Sequence, residues 1–263
     1  MANCIVLFCS AFLSFAAVIL ACVACAGSTK NYNPINKIFE AQLDLSGLNV
    51  SQVLSGLGSS IPSLEELGLP SYVNLGLWSY CLANSSGIVS NCTSPSGIQQ
   101  FNLTNIIYDN INDNQVANLI TSVAQITLPD KLEDNMTYYN NLVKCCFITL
   151  IIGIIASGLN LVVNILRWIL HFVIITWICR FFALIAFLSL LISAGTSTGT
   201  YVYIRHALAD NYDTYGMKMN LGVIFYALLW ASVSAALLNL ICLSAARPKR
   251  HIYDRPIEEK PLL

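Results

Sequence analysis

Two thiols and five side-chain amides are the groups in this chain whose types and spacing could do covalent chemistry. Of ten cysteines, only Cys81 and Cys92 lie in a polar stretch; the others fall in or beside apolar runs. In such runs a cysteine is a small buried hydrophobe. In an oxidising compartment Cys81 and Cys92 are each other's obvious partners, which predicts a disulfide closing a short loop that contains Gly87. The same stretch holds every N-glycosylation acceptor pattern, at Asn49, Asn84, Asn91, Asn102 and Asn135. Oxidation and glycosylation both belong to the secretory side of a membrane, so residues 27–143 read as an extracytoplasmic domain.

Other chemistry finds little material. His171, His206 and His251 lie in three different segments, with neither a His/Cys metal spacing nor a Gly-rich phosphate loop. Scattered serines lack a base and an orienting partner. The chain reads as no enzyme, with no catalytic site, no cofactor and no metal.

The elements that must position the two thiols are set by composition. Hydrophobic residues make up 56% of the chain and charged residues 10%, and mean hydropathy is +0.65. The apolar residues gather into unbroken runs long enough to cross a bilayer, which takes about 20 helical residues. The net charge of −1 is uninformative, but no basic stripe with interleaved aromatics occurs, which excludes nucleic acid as a partner.

Four spans follow. Residues 1–26 form a cytoplasmic N-terminus and a first helix. Ala24-Cys25-Ala26 mimics a cleavage site, but the segment has no basic start and too long an apolar core for a signal peptide. We therefore read it as an uncleaved helix. Residues 144–166 form the second span, 167–180 a cytoplasmic loop and 181–204 the third span. A short outer loop occupies 205–218, the fourth span 219–246 and a cytoplasmic tail 247–263. Arg167, Arg180, Arg247, Lys249, Arg250 and Arg255 all fall on the same side, which by the excess of positive charge is the cytoplasm.

Within the spans the polar residues are amides, hydroxyls and glycines, and no Asp or Glu occurs there, so an ion carrier is disfavoured. Gly153, Ser157, Asn160 and Asn164 share one face of the second span. That face either packs on a neighbouring helix or meets a lipid headgroup or a second copy of the chain. In the outer domain, Val116, Leu119, Ile120, Val123 and Ile126 recur at helical spacing and predict an amphipathic helix between Asn112 and Pro129. Strands are expected around Tyr72 to Cys81. The fold class is thus an all-α four-helix membrane bundle with a small, disulfide-bonded, β-containing outer domain.

The tail offers two further patterns. Arg247, Lys249 and Arg250 form a basic cluster that either attracts anionic lipid or simply obeys the positive-inside rule. Glu258, Leu262 and Leu263 fit an acidic dileucine sorting pattern.

Gly76-Leu77-Trp78-Ser79-Tyr80-Cys81, with Cys92 further on, resembles the Trp-Gly-Leu-Trp-Cys-Cys signature of claudin-like tetraspans, matching at Gly76, Leu77, Trp78, Cys81 and Cys92. The earlier tryptophan of claudins is absent, since residues 51–75 contain none. Over essentially its whole length the chain is similar to the fungal PalI/Sur-seven family. Ala24 to Tyr32, Gly76 to Cys81, Met136 to Cys145 and Pro256 to Pro261 carry that resemblance.

The resemblance implies a plasma-membrane protein of static eisosome-type patches, supporting cell-wall integrity and stress tolerance. It implies membrane lipids, other tetraspans of the family, eisosome scaffold proteins, a second copy and the cell wall as partners. Two alternatives stay open, a regulator of calcium influx and an ambient-pH-sensing adaptor. Ser79 departs from the glycine of the calcium-linked motif, and the tail is shorter than the pH-signalling relatives carry.

Overall fold

Four segments become helices because each is a long apolar run free of internal proline, and every backbone polar group in a bilayer must be satisfied within its own segment. A computed structural model describes residues 2–48, 54–55, 70–95, 125–126, 136–169 and 173–245. Its long helices are α1 (Ala2–Cys25), α2 (Met136–Ile169), α3 (Val173–Asp210) and α4 (Val223–Ala245). All four are long and apolar enough to span a membrane. Helix α1 packs on α2 and α4, and α3 packs on the same two, which closes the bundle into a ring. Outward-facing side chains such as Phe8, Phe12, Phe15 and Ile19 on α1 remain exposed. They suit hydrocarbon.

One end of the bundle carries an antiparallel sheet. Its strands are β1 (Ala41–Asp44), β3 (Tyr72–Leu75), β4 (Tyr80–Ala83), β5 (Val89–Cys92) and β7 (Lys218–Leu221), in the order β5-β4-β3-β1-β7. Side chains alternate across a strand. The register sets Ala41 opposite Leu75 and Leu221, and Leu43 opposite Val73 and Met219. These residues and Tyr80 form one apolar face, which packs on Tyr139 and Val143 of α2 and on Tyr201, Ile204 and Leu208 of α3. The opposite face is polar, with Gln42 donating to Asn74 Oδ1 at 2.9 Å.

The sequence boundaries shift for that reason. Helix α2 starts well before 144 and α3 runs past 204, because the added turns present the side chains on which the sheet rests. The expected loop 205–218 is mostly the end of α3 and a helical turn, Tyr212–Tyr215, closed by Gly216 at φ 67. The expected start of the fourth span at 219 is corrected: Lys218–Leu221 is strand β7, and the helix begins at Val223. Of the helix expected between Asn112 and Pro129, only Gln125–Ile126 is described, and it is a strand (β6) paired with β2 (Leu54–Ser55). That correction covers Ile126; Val116, Leu119, Ile120 and Val123 lie outside the described residues.

Candidate functional site

The residues singled out by the motif meet where the sheet sits on the bundle. Gly76 to Ser79 make the turn between β3 and β4, in which the Gly76 N–H donates to the Ser79 carbonyl at 2.9 Å. A Cβ at Gly76 would stand 2.7 Å from the Ser28 side chain and 2.9 Å from the Gly27 carbonyl, so only glycine lets the turn approach the end of α1. Leu77 is buried in the apolar cluster that also holds Ala17, Ala21 and Ala24 of α1 and Cys146 and Leu150 of α2. Trp78 donates its indole N–H toward Cys25 Sγ at 3.4 Å and stands edge-to-face on Phe147, with centroids 4.6 Å apart. Aromatic pairs of this geometry add about 0.5–1.5 kcal/mol beyond burial.

The end of α1 completes the joint. Ser28 adopts φ 55, an unusual value for a residue with a side chain. It is held there by its hydroxyl, which donates to the Ile38 carbonyl at 2.9 Å, while the Ser79 hydroxyl donates to the Ser28 carbonyl at 2.7 Å. Cys81 and Cys92 lie directly opposite each other on β4 and β5 and form a disulfide, with Cα atoms 4.0 Å apart. Gly76, Leu77 and Trp78 therefore fasten the sheet to α1 and α2, and the Cys81–Cys92 disulfide ties β5 to β4 beside that clamp.

A second polar cluster lies in the bundle core. Asn164 Nδ2 donates to Ser10 Oγ at 2.8 Å, and Ser10 in turn donates to Asn239 Oδ1 at 2.6 Å. Asn160 Nδ2 donates to Ser14 Oγ at 2.9 Å, and the Cys179 thiol reaches Asn164 Oδ1 at 3.7 Å. Side chains of all four helices thus join in one network, with Asn160 and Asn164 facing α1 rather than lipid. Gly153 faces Leu190 of α3, whose side chain would stand 2.7 Å from an added Cβ. Ser157 is buried, and among the described residues its hydroxyl has no hydrogen-bond partner. Ser193 of α3 ties back to α2 by donating to the Cys146 carbonyl at 3.0 Å.

The remaining predicted positions separate from these clusters. Asn84, in the turn between β4 and β5, and Asn91, on β5, are exposed. Asn49, Asn102, Asn135 and the tail residues Arg247, Lys249, Arg250, Glu258, Leu262 and Leu263 lie outside the described residues. Among the described residues no group of three His, Cys, Asp or Glu is placed to hold a metal.

Glu40 was missed by sequence reasoning. It is almost wholly buried at the seam between sheet and bundle. Ser197 donates to its Oε1 at 3.0 Å and contacts the Tyr226 hydroxyl at 3.2 Å, while Oε2 is sealed from solvent and, among the described residues, has no partner within hydrogen-bond geometry, the Tyr201 hydroxyl lying nearby. Burial pushes the carboxyl up from 4.5 to about 7, against the hydroxyls of Ser197 and Tyr201, which favour its charged form. A signal did exist: one carboxylate set among Ile38, Phe39 and Ala41.

A ring of four membrane-length helices, a disulfide-bonded sheet on one end and a Gly-Leu-Trp turn clamping the two define a claudin-like multi-pass membrane tetraspan. The chain matches the SUR7/PalI family over residues 6–242 and belongs to that family. It is 53% identical over 265 residues, covering 100% of both chains, to Protein PUN1 of Saccharomyces cerevisiae (strain ATCC 204508 / S288c).

Proposed function

We propose that this tetraspan is a non-enzymatic organiser of eisosome-type microdomains in the plasma membrane, supporting cell-wall integrity and stress tolerance. Both termini lie in the cytoplasm and the glycosylated sheet faces the wall. The observation that carries this reading is where the polar groups go. In the bundle Ser10, Asn160, Asn164 and Asn239 bond helix to helix, and the motif turn clamps the sheet to the helices, so these polar groups serve packing. The exposed surface of the spans is apolar, as a lipid-contacting scaffold requires. Membership of the SUR7/PalI family supports the same reading. Partners under it are membrane lipids, other tetraspans of the family, a second copy of the chain, and scaffold proteins that meet the cytoplasmic tail.

Two-colour imaging of the tagged chain with an eisosome core marker tests the reading, before and after wall stress. Stable co-patching is expected. A uniform plasma-membrane signal would overturn it.

A further inference from the structure

We propose that Glu40 is a proton-operated latch between the sheet and the helix bundle, locked when the carboxyl is neutral and loosened when it is ionised. Placement carries the inference. Two separate hydrophobic clusters meet at this residue: Ile38 belongs to the bundle's cluster, and Ala41 to the cluster under the sheet. The main chain of Glu40 is built into the sheet. Its N–H donates to the Leu75 carbonyl at 2.8 Å, and its carbonyl accepts from the Gly222 N–H at 3.0 Å. Its side chain is buried against the helices, where the Ser197 hydroxyl donates to one oxygen and the Tyr201 hydroxyl lies close by, with the other oxygen sealed from solvent.

The groups that face the carboxyl come from each helix. They are Cys25 of α1, Cys146 of α2, Ser197 and Tyr201 of α3, and Tyr226 of α4. None of these is a cation. A charge at Glu40 would therefore sit in an apolar seam with hydroxyls alone to stabilise it, whereas the neutral acid fits without that penalty. Because folding raises the pKa from 4.5 to about 7, the folded chain holds the proton more tightly than the unfolded chain. The stability this group contributes is full below about pH 4.5 and falls as pH rises to about 7, where the carboxyl of the folded chain ionises and the latch loosens, and it then levels off. Only the compartment that supplies the proton rests on the topology proposed above. The latch itself is a property of the purified chain.

The experiment is thermal unfolding of the full chain in lipid nanodiscs from about pH 4.5 to 8.5, wild type against Glu40→Gln. Across the lower part of that range the wild type should lose about tenfold in its native-to-unfolded ratio per pH unit relative to the variant. Parallel curves would overturn the proposal. A second reading on the wild type stands even if the variant fails to fold. Isotope-edited infrared spectra of labelled glutamate should show a protonated carboxyl at about pH 6, where exposed glutamates are ionised, that disappears by about pH 8.5. A spectrum without that band at about pH 6 would equally overturn it.

Discussion

At Gly222 a Cβ would run into the Phe39 carbonyl, while at Gly158 nothing lies within 4 Å of the added atom. The two glycines therefore separate close approach from mere helix composition. Gly222→Ala should destabilise the chain by about 1–3 kcal/mol, because the β1–β7 backbone has to move apart. Gly158→Ala, inside α2, should leave the chain unchanged or raise its melting temperature, since alanine is the better helix former. Parallel melting curves in detergent check both. Cys81→Ser and Cys92→Ser should each cost about 2–4 kcal/mol and retain the protein in the secretory pathway. Surface labelling of intact cells reads that outcome, and normal delivery of both variants would contradict it. The disulfide was legible because polarity isolates these two cysteines from the rest. Glu40 was not, because a carboxylate in an outer loop is ordinarily solvated, and the groups that bury it, Ser197, Tyr201 and Tyr226, arrive from distant helices.

Among the elements, the second span shows what periodicity reveals and where it stops. Asn160 and Asn164 lie one turn apart, so a shared face could be read directly. That Ser10 and Ser14 of α1 would accept their bonds depends on which helices become neighbours, and an apolar run encodes no partner. Interhelical hydrogen bonds in membranes contribute about 0.6 kcal/mol each on average. Asn164→Ala and Ser10→Ala should each lower stability by about 1 kcal/mol, and the double variant by clearly less than the sum, because the same bond is removed twice. A double-mutant cycle from unfolding in mixed micelles measures this; strict additivity would show that the network is not one unit. Strand β7 marks the limit of hydropathy. Lys218, Met219, Asn220 and Leu221 alternate as a strand should, but the pattern abuts the apolar run of α4 and was absorbed into it.

For the whole molecule, the architecture was largely readable from run lengths, because a bilayer admits few solutions for a chain with four such segments. The sheet was less so, since two paired strands come from opposite ends of the chain: β1, inside the sheet, follows the first helix, and the edge strand β7 precedes the last. Removing residues from 217 onward should leave three helices that still insert, yet yield a sheet domain far more open to protease in isolated microsomes. Protection equal to that of the full chain would argue that β3, β4 and β5 suffice to fold the domain.

That pairing of β1 with β7 also fixes an order of assembly. As the chain is made, β1 leaves the membrane early and pairs with β3, but its other edge stays open until β7 has been synthesised, after three of the four helices. An open strand edge invites pairing with other chains. The edge that β1 exposes while the chain is being made is therefore passed on to β7, and the sheet reaches its full width only when the last span is due.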